Sequence, residues 1–136
     1  MKEVKLDCGL RECSVFGGVL RCNPTDPNLY TRFLELAPQL AETEQRLYLC
    51  QGDLLQALQK ADREMKILLG KIFPGNDFDD LLQGVNLLAV GENGNRVITN
   101  LLESLEPILQ EGAEAFAQAK TQNALEKAKA RRGKPV

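Results

Sequence analysis

The 136-residue chain has no histidine and no tryptophan, and only two tyrosines. Without histidine, the usual proton-transfer and metal-ligand groups shrink to carboxylates, lysines, cysteines and the phenols of Tyr30 and Tyr48. Adjacent acids such as Asp79 and Asp80 fall on a helix face that reads as solvated, with nothing to hold them against a common substrate. The four cysteines, Cys8, Cys13, Cys22 and Cys50, are separated by four, eight and 27 residues. Structural zinc pairs leave about two to four residues between ligands. Small buried apolar thiols are therefore the expectation, and no catalytic, cofactor-binding or metal-binding residue is assigned. The chain reads as a protein that is not an enzyme.

Long apolar runs are also missing. None approaches the roughly 18 to 20 residues of a bilayer span. Residues 1–10 alternate charged with apolar side chains and lack the apolar stretch of about 7 to 15 residues that marks a signal peptide. No membrane association or export is expected. A glycine-rich phosphate loop is lacking too: Gly91-Glu92-Asn93-Gly94-Asn95 has no following Lys-Ser/Thr and succeeds a helical pattern, so it reads as a connecting turn.

What is present is ordinary globular usage, 43% apolar and 26% charged residues, in a length that fits one domain over residues 1–136. Its charge is unevenly spread. Residues 120–136 hold six bases and one acid, a net of +5, and the remainder holds 11 bases and 18 acids, a net of −7. A basic tail could take nucleic acid, but aromatics that stack on bases are not interleaved with it, and an acidic body repels a polyanion. A frayed helix end, whose cations suit the negative end of the helix dipole, is the preferred reading.

Residues 1–22 read as two or three short strands. Val4, Leu6 and Cys8 alternate with Lys5 and Asp7, and Cys13, Val15, Val19, Leu20 and Cys22 flank Gly17-Gly18, a hairpin turn signal. A lone hairpin is marginal in water, so it must lean on helices or pair with another chain. Asp26 then offers a cap and Pro27 a first helical position. From there Phe33, Ala37, Leu40, Leu47, Leu54, Leu58, Ala61, Met65, Leu68 and Ile72 follow four-three spacing, with Glu44 and Gln51 as exceptions. At 1.5 Å per residue the stripe predicts a rod of about 60 to 70 Å, kinked at Pro38.

Phe73-Pro74-Gly75-Asn76 closes this helix. A short one capped by Asp77 should carry Phe78, Leu81, Leu82, Val85 and Leu88 on one face. The last helix shows Ile98, Leu102, Leu105, Leu109, Gly112 and Phe116, broadened by Leu101 and Ile108 and bent at Pro107. The expected fold is mainly α (α+β): a small N-terminal β-hairpin over 1–22 and a helical body over 27–119. That body is a long antiparallel helical hairpin plus a short third helix. Burial of the stripes within one chain or between copies satisfies the pattern equally, so a homo-oligomer remains open. Candidate protein-binding anchors are Tyr30, Phe33, Leu34, Phe73 and Phe78, mostly aromatic side chains of the kind interfaces favour, although for each taken singly the core is the preferred reading.

The layout of Val4-Lys5-Leu6, Phe16-Gly17-Gly18-Val19-Leu20, Asp26-Pro27, Tyr30-Thr31-Arg32-Phe33, a long helix and a basic Arg131-Arg132 end resembles the tail assembly chaperones of siphophages and prophages of Gram-positive bacteria. These are encoded near the major tail protein and tape-measure genes. The resemblance implies a cytoplasmic factor in the bacterial host that coats the tape-measure protein until the tail tube polymerises and is absent from the finished particle. It carries no catalytic motif. A minor structural protein of the virion and a small nucleic-acid-associated regulator using the basic tail are the competing readings.

Overall fold

The computed structural model describes the backbone of residues 1–132 and the side chains of residues 1–119. The expected frayed tail at 120–136 therefore falls outside the described side chains. Strands β1 (Arg11–Val15) and β2 (Gly18–Cys22) precede helices α1 (Pro27–Tyr48), α2 (Leu54–Ile72), α3 (Phe78–Leu81) and α4 (Val97–Arg132). The fold is mainly helical with a small antiparallel hairpin and a long helix pair, as the sequence pattern implies.

The hairpin turn lies one residue earlier than Gly17-Gly18. Phe16 (φ 50°) and Gly17 (φ 84°) occupy it, both in the left-handed region that a tight two-residue turn between twisted strands needs. Gly18 is instead the first residue of β2, where a Cβ would lie 2.9 Å from Leu81 Cδ2, so its glycine admits α3. Leu20 and Cys22 are buried beneath the sheet, and Cys13 and Val15 pack beside them. Asn76 covers the outer edge of β2 as a neighbouring strand would: it accepts from Arg21 N–H (2.9 Å) and donates to Arg21 C=O (2.8 Å). Residues 1–10 form no strand.

Asp26 caps α1 by accepting from Asn28 N–H, with Pro27 at the first helical position. Pro38 lies inside α1 on its exposed side without ending it. The carbonyl of Leu34, deprived of its partner by that proline, sits where water can satisfy it. The single rod expected from 27 to 72 is two helices. The chain turns at residues 49–53, and Asp53 caps α2 by accepting from Leu55 and Gln56 N–H. Leu40 and the buried Thr43 of α1 and Ala61 and Met65 of α2 belong to the interior, with Leu47 and Leu58 packed against it. The stripe thus folds back on itself. Its two exceptions differ: Glu44 reaches Arg96 (3.2 Å), and Gln51 is in the turn.

Arg32 Nε donates to the carbonyl of Ile72 (3.0 Å), satisfying an acceptor at the C-terminus of α2. The short third helix ends at Leu81, because Gln83 (φ 52°) and Gly84 (φ 76°) turn left-handed. Phe78, Leu81, Leu82 and Leu88 are nevertheless buried and Val85 is half-buried, so tight turns do what the expected helix face would have done. Beneath this segment Lys66 bridges Asp62 Oδ2 (3.0 Å) and Asp79 Oδ1 (2.6 Å), and Asp62 Oδ1 accepts from Leu87 N–H (2.8 Å). Burial alone would push the Lys66 ammonium down. The hydrogen bonds and charges of Asp79 and Asp62 outweigh it and hold the group above its ordinary range. Asp79 is solvent-facing as expected, but it is paired, not free.

The Gly91–Asn95 loop is a turn, closed by Gly91 N–H to Asn95 C=O (2.8 Å) and flanked by the Val90–Arg96 bridge. Beyond it α4 buries Ile98, Leu101 and Leu105. Gly112 of α4 meets the Pro24 turn so closely that a Cβ there would lie 2.6 Å from Pro24 Cβ and nearer still to its carbonyl. The cysteines depart from the expected set of buried thiols: Cys22 is buried and Cys13 half-buried, whereas Cys8 and Cys50 are exposed. Among the described residues no helix is long and apolar enough to cross a membrane.

Candidate functional site: an apolar groove between α1 and α4

Residues one turn apart on a helix share a face, so the Tyr30-Phe33-Leu34 triplet of α1 points toward the matching stripe of α4. The two helices do not close over it. Between them lies a groove of about 560 Å3, lined by Tyr30, Phe33, Leu34 and Phe73 on one side and by Leu102, Leu105, Leu109 and Ala113 on the other, with Glu103, Glu106 and Gln110 along the α4 bank. From 102 to 113 the α4 wall runs about 16 Å, three helical turns.

Four of the five anchors read from the sequence therefore meet in one place, in different roles. Leu34 is 73% exposed at the rim, Tyr30 and Phe33 are half-buried in the wall, and Phe73 is only 2% exposed and forms the floor. Phe78 does not reach the groove. It is 2% exposed in the core, its ring centroid 5.9 Å from that of Phe73 in a tilted arrangement. An aromatic next to a turn looks exposed in sequence, but α3 carries this one into the core, where it packs against Phe73 outside the groove.

Tyr30 also builds the groove. Its hydroxyl lies between the carbonyls of Pro24 (2.9 Å) and Leu109, tying the start of α1 to α4. Burial pushes the phenol up from its ordinary value, so it stays a neutral donor through the physiological range. The α4 residues of the groove, Leu102, Leu105 and Leu109, were visible in the sequence as a stripe, but spacing alone does not tell a buried stripe from a half-open one. A second apolar exposure sits at the α1–α2 turn, where Tyr48, Leu49, Leu54 and Leu55 face solvent.

Chemically the groove offers apolar area, carbonyl-bound phenol and a carboxylate rim. Among the described residues there is no cluster of three or more cysteine or carboxylate groups placed to hold a metal ion. Comparison with protein-family models, curated proteins and solved structures returns no match.

Proposed function

We propose that this chain is a non-enzymatic protein-binding factor of phage tail assembly, a chaperone that holds an amphipathic helix of the tape-measure protein in the α1–α4 groove. The observation that carries the reading is the groove itself, an apolar trough three turns long, floored by Phe73 and rimmed by Glu103 and Glu106. Such a trough fits a helix with apolar residues at i, i+3, i+4 and i+7 and lysine or arginine beside them. The resemblance of layout to siphophage tail assembly chaperones suggests the partner, a long amphipathic protein that aggregates when its apolar faces are uncovered. The reading entails action in the bacterial host cytoplasm.

Co-expression with helical fragments of the tape-measure protein tests it. The native chain should co-purify with at least one fragment. Leu34→Asp, at an exposed rim position that folding does not need, should weaken retention about tenfold or more, as loss of an interface anchor does. Phe33→Asp should act in the same direction. Undiminished binding by both variants refutes the groove as the binding site. Mass spectrometry of purified virions separates the chaperone from a minor structural protein: the chain should be absent, and its persistence at stoichiometric levels refutes the chaperone reading.

A further inference from the structure

The hairpin has one edge covered in part and one open edge. In the register Arg11↔Cys22, Cys13↔Leu20, Val15↔Gly18, the residues between these pairs turn their amides outward. On β2 they are Val19 and Arg21, and Asn76 takes the N–H and C=O of Arg21. On β1 they are Glu12 and Ser14, both exposed. A two-stranded sheet with a bare edge is a template for another strand.

The chain also carries a strand without a sheet. Residues 3–6 alternate charged and apolar side chains, and Val4 and Leu6 are 85% and 80% exposed. The segment cannot reach the open edge of its own β1, because it is anchored on the other side. Asn23, just past β2, donates to the carbonyl of Cys8 (2.7 Å), Gly9 N–H bonds Asp7 Oδ1, and Gly9 takes a left-handed φ of +75° with the Asn23 side chain packed against it.

We propose that residues 2–6 of one copy add as a third, antiparallel strand to the β1 edge of a second copy, and reciprocally, giving a two-fold strand-exchanged dimer. With Lys5 opposite Glu12, the outward amides of Glu12 and Ser14 bond Lys5 and Glu3. Lys5 then faces a carboxylate, and Val4 falls opposite Cys13 on the face that leads to the core. A reciprocal exchange closes on itself and leaves neither edge bare.

Light scattering of the full chain across a concentration series reads the mass, and a dimer of about 30 kDa, twice the 15.1 kDa chain, is expected. Lys5→Pro, which removes the amide that bonds the Glu12 carbonyl of the other copy, and Ser14→Pro, at an amide facing away from β2, should each raise the dimer dissociation constant about tenfold or more. Mixing the two variants should restore association, since one still donates a strand and the other still offers an edge. A monomer at every concentration, a dimer indifferent to both prolines, or two variants that stay monomeric when mixed would each overturn the exchange.

Discussion

Replacing Gly112 with alanine tests the seating of α4 with opposite signs for opposite structures. On an exposed helix, Gly→Ala stabilises by about 0.5 to 1 kcal/mol, because glycine loses more backbone freedom on folding. Here the added methyl would stand 2.6 Å from Pro24 Cβ, against an ordinary contact of about 3.5 to 4 Å, and both neighbours are backbone-fixed. The helix must retreat by about an ångström, which draws Leu109 away from the Tyr30 hydroxyl. Overpacking of this kind costs about 1 to 3 kcal/mol, and the weakened hydrogen bond about another 1, so a net loss of about 1 to 3 kcal/mol remains after the propensity gain. For a chain of this size that lowers the melting temperature by about 4 to 10 °C, read by circular dichroism at 222 nm. A Gly112→Ala protein more stable than the native one would refute the packing of α4 on the Pro24 turn, and with it the groove.

Lys66→Met leaves Asp62 in the interior without its cation and should destabilise by about 3 kcal/mol in urea titrations, more than an exposed charge deletion. Because the folded-state value for Lys66 is raised, its contribution is present below the ordinary lysine range and is lost as pH rises through the folded value; native stability should decline above about pH 10.5, and the Lys66→Met protein should show less of that decline. Asp53→Ala removes the cap of α2 and should cost about 1 kcal/mol, whereas a continuous rod would register almost nothing at that position. Phe78→Ala should cost about 3 to 5 kcal/mol, and Leu34→Ala under about 0.5, which separates the core aromatic from the rim anchor by thermal unfolding alone.

Local chemistry was the most legible layer of the sequence. Asp26-Pro27 marks the start of α1, Asp77 that of α3, and the Gly91–Asn95 loop is the turn its composition implies. Helix continuity was not legible. The stripe keeps its phase from Leu47 to Leu54 across a turn, so phase does not prove continuity, while Gln51-Gly52-Asp53 carries the contrary signal: a polar residue on the stripe, a glycine and a capping aspartate. Helix α1 does run on through Pro38 as its unbroken phase implies, and an exposed carbonyl makes the proline tolerable there. For the groove, Tyr30, Phe33, Leu34 and Phe73 could be read from aromatic content, yet their division into rim, wall and floor depends on how far α4 stands from α1. That distance is set by tertiary contacts at Gly112 and Tyr30 that no periodicity encodes. The ion cluster of Asp62, Lys66 and Asp79 was hidden for the same reason: two of its members are one helical turn apart, but the third arrives from a different element.

Amide chemical-shift mapping of the isotope-labelled protein, titrated with a tape-measure helix fragment, tests most directly the proposal that the α1–α4 groove holds an apolar helix of a partner chain. Shifts concentrated at residues 30–34 and 102–113, abolished by Leu34→Asp, are the predicted result. Shifts confined to the exposed turn at residues 48–55, or saturable binding that leaves the groove amides unmoved, would contradict it.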